Sequence, residues 1–374
     1  MPYTERYVRA DAAGGGDGTT DSASGANGAW TLAEAATNAA SGQRVNIKSG
    51  TYTLGANLTF KAGSTENPII WQGFSATVGD LESVGRSSAT GALTTTNFPL
   101  IDGGASFTTT CGNYTRLVNL NITSAANAPT VNSGVSNFWR CRFANTNANG
   151  AAARAFSNGA NYIAIVDCDN VLATINESSP VTAEVGRGSI IGCRVWHSGT
   201  PHASACGILL TSTQACAYGN IVYNMGIAIE LRGLSGSAIH NSWHGVTTGI
   251  FVNDDHEAAI VNNVGWSHAG YAIRGTTSSG IPLMLNNAFG SHTSGRIDTS
   301  TLGSVNDEIN AILLTSDPFT NSGSQDFTLN STSGGGALCR AASKLFGGFG
   351  DLGAVQVQPS GGGVPLIGRG GLVY

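Results

Sequence analysis

Apolar residues alternate with other residues in a phrase that keeps returning along the chain. It reads Gly207-Ile208-Leu209-Leu210, Ala228-Ile229-Glu230-Leu231, Gly249-Ile250-Phe251-Val252 and Ala272-Ile273-Arg274-Gly275, at intervals of 21, 21 and 23 residues. Alternation is the period of a strand with one buried face. The intervals are too regular for chance and too short for a strand–helix–strand crossover. One strand per coil, stacked on its own copy, predicts an all-β fold, a solenoid of parallel strands.

A second phrase fixes the register upstream. Trp139-Arg140-Cys141-Arg142-Phe143, Val166-Asp167-Cys168-Asp169-Asn170 and Ile191-Gly192-Cys193-Arg194-Val195 send the three cysteines inward. The same slot is expected to hold Gly219, Asn241, Asn262 and Asn286 in later coils. In-register strands lie about 4.8 Å apart, so like side chains stack, and stacked Asn can bond along the column. Outside, Arg142, Asp169 and Arg194 alternate in sign down one column, with Arg140 beside Asp167, which favours this register over a one-residue slip.

The pattern divides the chain into four parts. Residues 1–44 hold a leading segment and a helix over 30–42, with Leu32, Ala35, Ala36 and Ala39 on one face and Gly42 as its C-terminal cap. The helix is expected to cover the first coil. Residues 45–330 form the coil, about twelve turns and roughly 55–60 Å long. Residues 331–358 are read as a closing cap. Residues 359–374 join a Gly-rich linker to an apolar tail, Val364 to Tyr374, that must dock on this chain or on a partner.

Composition narrows the function. Gly is frequent at 52 of 374 residues, charged residues make up 11 %, and the net charge is −5. With no basic block, a nucleic-acid partner is not expected, and no apolar run is long enough to span a bilayer. Met1 to Arg6 lack the basic-then-apolar pattern of a secretory leader. The seven Cys form no CxxC pair. Reduced thiols and synthesis in a cytosol are therefore expected.

Three stretches carry a resemblance: Tyr7-Val8-Arg9-Ala10-Asp11, then Val45-Asn-Ile-Lys-Ser-Gly-Thr-Tyr-Thr53, and near the end Asp351-Leu-Gly-Ala-Val-Gln356. With the coil pattern between them, the chain resembles right-handed parallel β-helix proteins of the pectate-lyase-like group over nearly its whole length. That group includes lyases, hydrolases, epimerases, phage tailspikes and non-catalytic shells, so the resemblance implies a fold more than a chemistry. The closing Asp-Leu-Gly-Ala-Val is also similar to β-helix proteins encoded by bacteriophages.

The polygalacturonase-like signatures are missing: Trp243-His244-Gly245 has no Gly before the His, and no Arg-x-Lys occurs. Lys48, Lys61 and Lys344 lie towards the ends, so a mid-coil lysine base is excluded, though an arginine base is not. The best polar constellation is Glu230, Arg232, Asp254, Asp255 and Arg274. Its carboxylates suit an acid or Ca²⁺, and its Arg residues can clamp a uronate carboxylate. Against this stands the reading that the acidic run is a solvated turn. Trp196, Trp243 and Trp266, with Phe251, suit sugar stacking but also internal packing. No metal site is expected from spacing, and Ca²⁺ enters only if the chain is a lyase.

Two functions follow. The first is a non-enzymatic structural or adhesive virion protein of a phage (a capsid decoration, fibre or spike) with an optional glycan ligand. Its partners would be other virion proteins or itself, as a homotrimer, through the C-terminal tail. The second is a lyase or depolymerase of an acidic polysaccharide. A plain extracellular binding module stands third.

Overall fold

The computed structural model describes residues 2–87, 91–147, 153–158, 162–173, 181–212, 214–233, 235–253, 258–276, 282–302, 308–340, 342 and 351–353, without the Val181 side chain. They form a parallel β-solenoid in which a typical coil carries three strands. In one coil these are Ser136–Trp139, Arg142–Asn145 and Arg154–Ser157. The first strands stack into a 12-stranded ladder from Thr4–Val8 to Glu308–Ile309. The second ladder runs to Ile312–Leu314 and the third to Gly295–Ile297. Ile221–Leu231 and Ser242–Val252, 11 residues each, carry both later ladders in one continuous strand.

The corner between first and second strands is a repeated device. Its leading residue is left-handed in coil after coil: Arg140 at φ 52°, Asp167 at 53°, His240 at 55°, Asn262 at 57° and Asn286 at 54°. This conformation costs a non-glycine residue about 1–2 kcal/mol. The next residue turns inward. Cys141 N–H donates to Cys168 Sγ, Cys168 N–H to Cys193 Sγ, and Cys193 N–H to Asn220 Oδ1. The column then continues through Asn220, Asn241, Asn263 and Asn287, each accepting the previous main-chain N–H at 2.9–3.1 Å. The inward Cys and Asn241 agree with the expected slot. Gly219, Asn262 and Asn286 do not, because they occupy the left-handed position one residue earlier.

Inside, isoleucines of the repeated phrase stack as Ile208, Ile229, Ile250, Ile273 and Ile297. Phe138, Phe143 and Phe156 fill one coil with ring centroids 5.0–5.6 Å apart. The helix spans Leu32–Asn38, shorter than 30–42. Thr31 and Glu34 close a capping box at its start, and Ala39 is already extended, so Gly42 sits in the following turn.

Parallel pairing of the first strands begins at Thr4 and pairing of the second ends at Leu314, so the coil starts before residue 45 and stops before 330. The chain then turns back. The hairpin Phe319–Asn321/Asp326–Leu329, the short helix Gly336–Cys339 and Leu352 pack against the outer side of the second ladder, on Ile221, Tyr223, Val264 and Ala288. Gln325 reaches Tyr223 Oη at 2.9 Å and Arg194 at 3.2 Å. Arg194 lies five strands back from the last of its ladder, about 24 Å. What the sequence suggested as an end cap is, over its described residues, a lateral cover. Residues 359–374 lie outside the described residues.

Candidate functional site

The outer side of the second ladder is unavailable. Arg142, Asp169 and Arg194 do stack as expected. Yet Asp169 is fully buried, because residues 75–87 and 91–98 fold over it. Arg86 Nη1 donates to Asp169 at 2.7 Å and Arg86 Nε to Asp167 at 2.8 Å, while the Leu93 amide donates to Asp169 at 2.7 Å. Arg140 stands 3.5 Å from Asp167. Burial pushes the Asp169 carboxyl up against the pull of Arg86, so the loop's arginine is what makes a charge tolerable there.

The aromatic residues divide between two columns. Trp196, Tyr223, His244 and Trp266 share the outer column, and Trp196 stacks on Tyr223 at 5.6 Å. Trp196 and Trp266 are half-buried and pack with the C-terminal cover; Phe327 lies 5.6 Å from Tyr223. They are packing residues rather than a sugar platform. Trp243 corrects the expectation outright. It is fully buried inside the coil, over Gly249 and Gly265, where any Cβ would collide with its indole. Its Nε1 donates to His268 Nε2 at 2.6 Å. Burial pulls His268 down to about 3, which keeps that nitrogen an acceptor.

The third ladder bears the remaining candidates. One outer column runs Glu184, Leu209, Glu230, Phe251 and Arg274. Alternation in the repeated phrase sets it: the Ile points in and the next residue out. Glu230 is 5 % exposed, and its Oε1 accepts from Arg232 Nε at 3.0 Å, Arg232 Nη2 at 2.7 Å and Asn253 Nδ2 at 2.8 Å. Phe251 is half-buried against Cys206, Leu209 and Ile227. The Arg274 guanidinium lies 4.6 Å over the Phe251 ring, and its buried Nε has no hydrogen-bond partner among the described residues. So the structure brings Glu230, Arg232, Phe251 and Arg274 together. Asp254 and Asp255 lie outside the described residues.

The fold has clear relatives among solved structures. Pectate lyase Pel9A superposes with a TM-score of 0.59 at 14 % identity, covering 95 % of this chain and 96 % of that one. This is the pectate-lyase-like parallel β-helix fold. A mannuronic acid specific polysaccharide family 6 lyase from human gut microbiota matches at TM-score 0.48 and 13 % identity, covering 71 % of this chain and 63 % of that one. A rhamnogalacturonan lyase matches at TM-score 0.41 and 12 % identity, over 77 % and 74 % of the two chains. No protein-family model matches the sequence, and no curated protein is significantly similar to it.

Within this fold the open column can hold a charged ligand more readily than it can move a proton. Ca²⁺ takes six to eight oxygen ligands. Here the described column offers Glu184, bonded to Arg154 and Ser157, and Glu230, already engaged by three donors. No group of three metal-binding side chains occurs among the described residues. These described donors by themselves do not complete a Ca²⁺ shell; Asp254 and Asp255 lie outside them. Lys48 pairs with Asp21 at 2.6 Å and Lys61 bonds the Thr37 carbonyl at 2.8 Å, both far from this column in sequence and fold. Sequence reasoning did not give Asn253 as a donor to Glu230, and missed the Glu184–Arg154–Ser157 group two strands before Glu230 in the same column. The signal was there: Ala183-Glu184-Val185 continues the repeated phrase upstream with Ala in place of Ile.

Proposed function

We propose that the protein binds an acidic polysaccharide along the outer column of the third ladder. The observation that carries the reading is Arg274, over the Phe251 ring with an Nε that has no hydrogen-bond partner among the described residues, two strands from the Arg232–Glu230 pair. A stacked guanidinium keeps its fork in one plane and can take a uronate carboxylate through two parallel bonds. Strands repeat about every 4.8 Å and a sugar residue in an extended chain spans a similar length, so a rod-like ligand suits a ladder. Arg232, 42 % exposed at its side chain, supplies a second cation. Titration with polygalacturonate, alginate and a neutral glucan tests this. Binding to the acidic polymers that Arg274→Ala abolishes supports it; equal binding to all three, or to none, overturns it.

A second reading is a polysaccharide lyase, favoured by the fold shared with a pectate lyase. It needs an arginine base, since no lysine described stands on this face. New unsaturated ends, read by absorbance and lost in Arg274→Ala with the fold intact, would establish it. A phage-particle setting, with attachment through residues 359–374, remains a proposal from the sequence. Mass spectrometry of purified particles checks it.

A further inference from the structure

Where the second ladder passes into the third, the chain makes a second repeated corner. Asn224 at φ 52°, Gly245 at 63°, Ser267 at 62° and Ser291 at 52° are left-handed in turn. The residues after them, Met225, Val246, His268 and His292, stack strand on strand over about 14 Å. Along this corner runs a groove of about 420 Å³, the size of a small-molecule site. Pro201, Met225, Val246 and the part-exposed His292 ring give it carbon surface, and no Asp, Glu, Lys or Arg lines it among the described residues. Its polar groups include the hydroxyls of Thr247, Ser267, Ser291 and Thr293. None of these four has a hydrogen-bond partner among the described residues.

We propose that this corner groove is a second binding site, for an uncharged saccharide unit, independent of the acidic-polysaccharide reading of the third ladder. A hydroxyl both donates and accepts, so a row of them is matched most fully by a ligand that carries hydroxyls itself. With no charge in the groove, a uronate or phosphate would give up water there without meeting a cation. The carbon surface beside the hydroxyls suits the C–H face of a pyranose. Strands repeat about every 4.8 Å, close to one sugar residue, so the groove has room for a disaccharide. A peptide strand fits less well, because main-chain groups at the corner are already used. Ala269 N–H donates to the Val246 carbonyl, Gly270 N–H to that of Thr247, and Thr293 N–H to that of His268. The serines add a separate argument. Asn224 supports its left-handed turn by donating to the His197 and Gly199 carbonyls, and Gly245 needs no support. Ser267 and Ser291 have no such side-chain bond among the described residues, and glycine would hold either turn with less strain. Strain of this kind is kept where the side chain serves a ligand.

The experiment follows the histidine ring signals of the full chain by NMR, with cellobiose, maltose and digalacturonate as probes. His292 is assigned by the signal lost in His292→Gln. The expected result is a saturable shift of that signal with a neutral disaccharide and a several-fold weaker response to digalacturonate. Thr247→Val and Ser267→Gly each delete one hydroxyl, and each should weaken the neutral ligand about three- to tenfold. Ser267→Gly should do so with an equal or higher urea midpoint, since glycine is at home in the left-handed turn. Both variants should match the parent chain on an acidic-polysaccharide column, which reads the third ladder separately. No shift of His292 with either neutral disaccharide, digalacturonate binding as tightly or more so, or unchanged affinity in both variants overturns the proposal.

Discussion

The second and third ladders are built from the same continuous strands at residues 221–231 and 242–252, yet their outer sides have opposite fates. Over the second, Arg86 and Leu93 from one excursion and Phe319, Phe327 and Leu352 from another exclude water from Asp169, Tyr223 and Trp196. Over the third, Arg232 and Arg274 keep solvent contact, and the one buried carboxylate, Glu230, is satisfied by its own neighbours. The inside of the coil is common to both. What differs is whether a charge on the outer column is compensated by a distant loop or within its own column. Distant compensation stabilises a fold; local compensation leaves the remaining cations to a ligand.

The largest consequence of that difference falls on Arg86. Removing it leaves Asp169 buried without its cation, which costs about 3–5 kcal/mol for a pair of this kind. Arg86→Ala should therefore lower the urea midpoint sharply, while Arg86→Lys recovers part of it. Arg232→Ala removes two of the three bonds to the buried Glu230 carboxylate. It takes away a half-exposed side chain and leaves Asn253 in place, so it should cost less, about 1–3 kcal/mol. Equal losses from the two substitutions would erase the distinction between the faces.

Acid should act next, from inside. Burial pulls His268 down to about 3 and His240 to about 4. Both are neutral when folded and gain protons on unfolding below the ordinary histidine value. Stability is thus present above about pH 6.5 and is lost as the pH falls towards the folded values. By pH 4.5 the loss from His268 alone comes to roughly 2–3 kcal/mol. Urea midpoints measured from pH 7 to 4.5 should fall accordingly, and His268→Gln should remove about one proton from the slope. A flat profile would mean that burial does not hold His268 neutral in the folded protein.

How much of this was legible follows from range. The alternating phrase is local, so the parallel coil, its inward Ile column and the outward Glu230–Phe251–Arg274 column could be read directly. The corner could be read only to within one residue. Asn262-Asn263 and Asn286-Asn287 are doublets, and Asn suits both the left-handed position and the bonded column. Which Asn does which depends on bonds to coils 22–24 residues away. The covers were illegible for a stronger reason. Arg86 meets Asp169 across 83 residues and Gln325 meets Arg194 across 131, with no periodicity to announce either contact. Trp243 and Trp266 illustrate the same limit: one residue of register separates the packed interior from the outer face.

The Asn column then separates interior from exterior effects. Asn263→Ala strips the acceptor from the Asn241 main-chain and side-chain N–H groups. Leaving them buried and unpaired costs about 1–3 kcal/mol. Amide exchange at Asn241 should speed up while binding at the third ladder is unchanged, because Arg274 stacks on Phe251 and not on the corner. Loss of binding in that variant would show that the two faces are not independent.

The smallest stability effect should belong to Arg274. Its side chain is half-exposed and lies 4.6 Å over the Phe251 ring, a cation–π arrangement worth about 0.5–1 kcal/mol at an exposed site. Arg274→Ala should leave the urea midpoint almost unmoved yet abolish retention on an acidic-polysaccharide column. Arg274→Lys keeps the charge but loses the planar fork, so it should restore only part of the retention. Full recovery by lysine would reduce the site to a point charge and remove the argument from geometry. A stability loss as large as that of Arg86→Ala would make this face structural like its neighbour, and the contrast between the two ladders would then rest on solvent exposure alone.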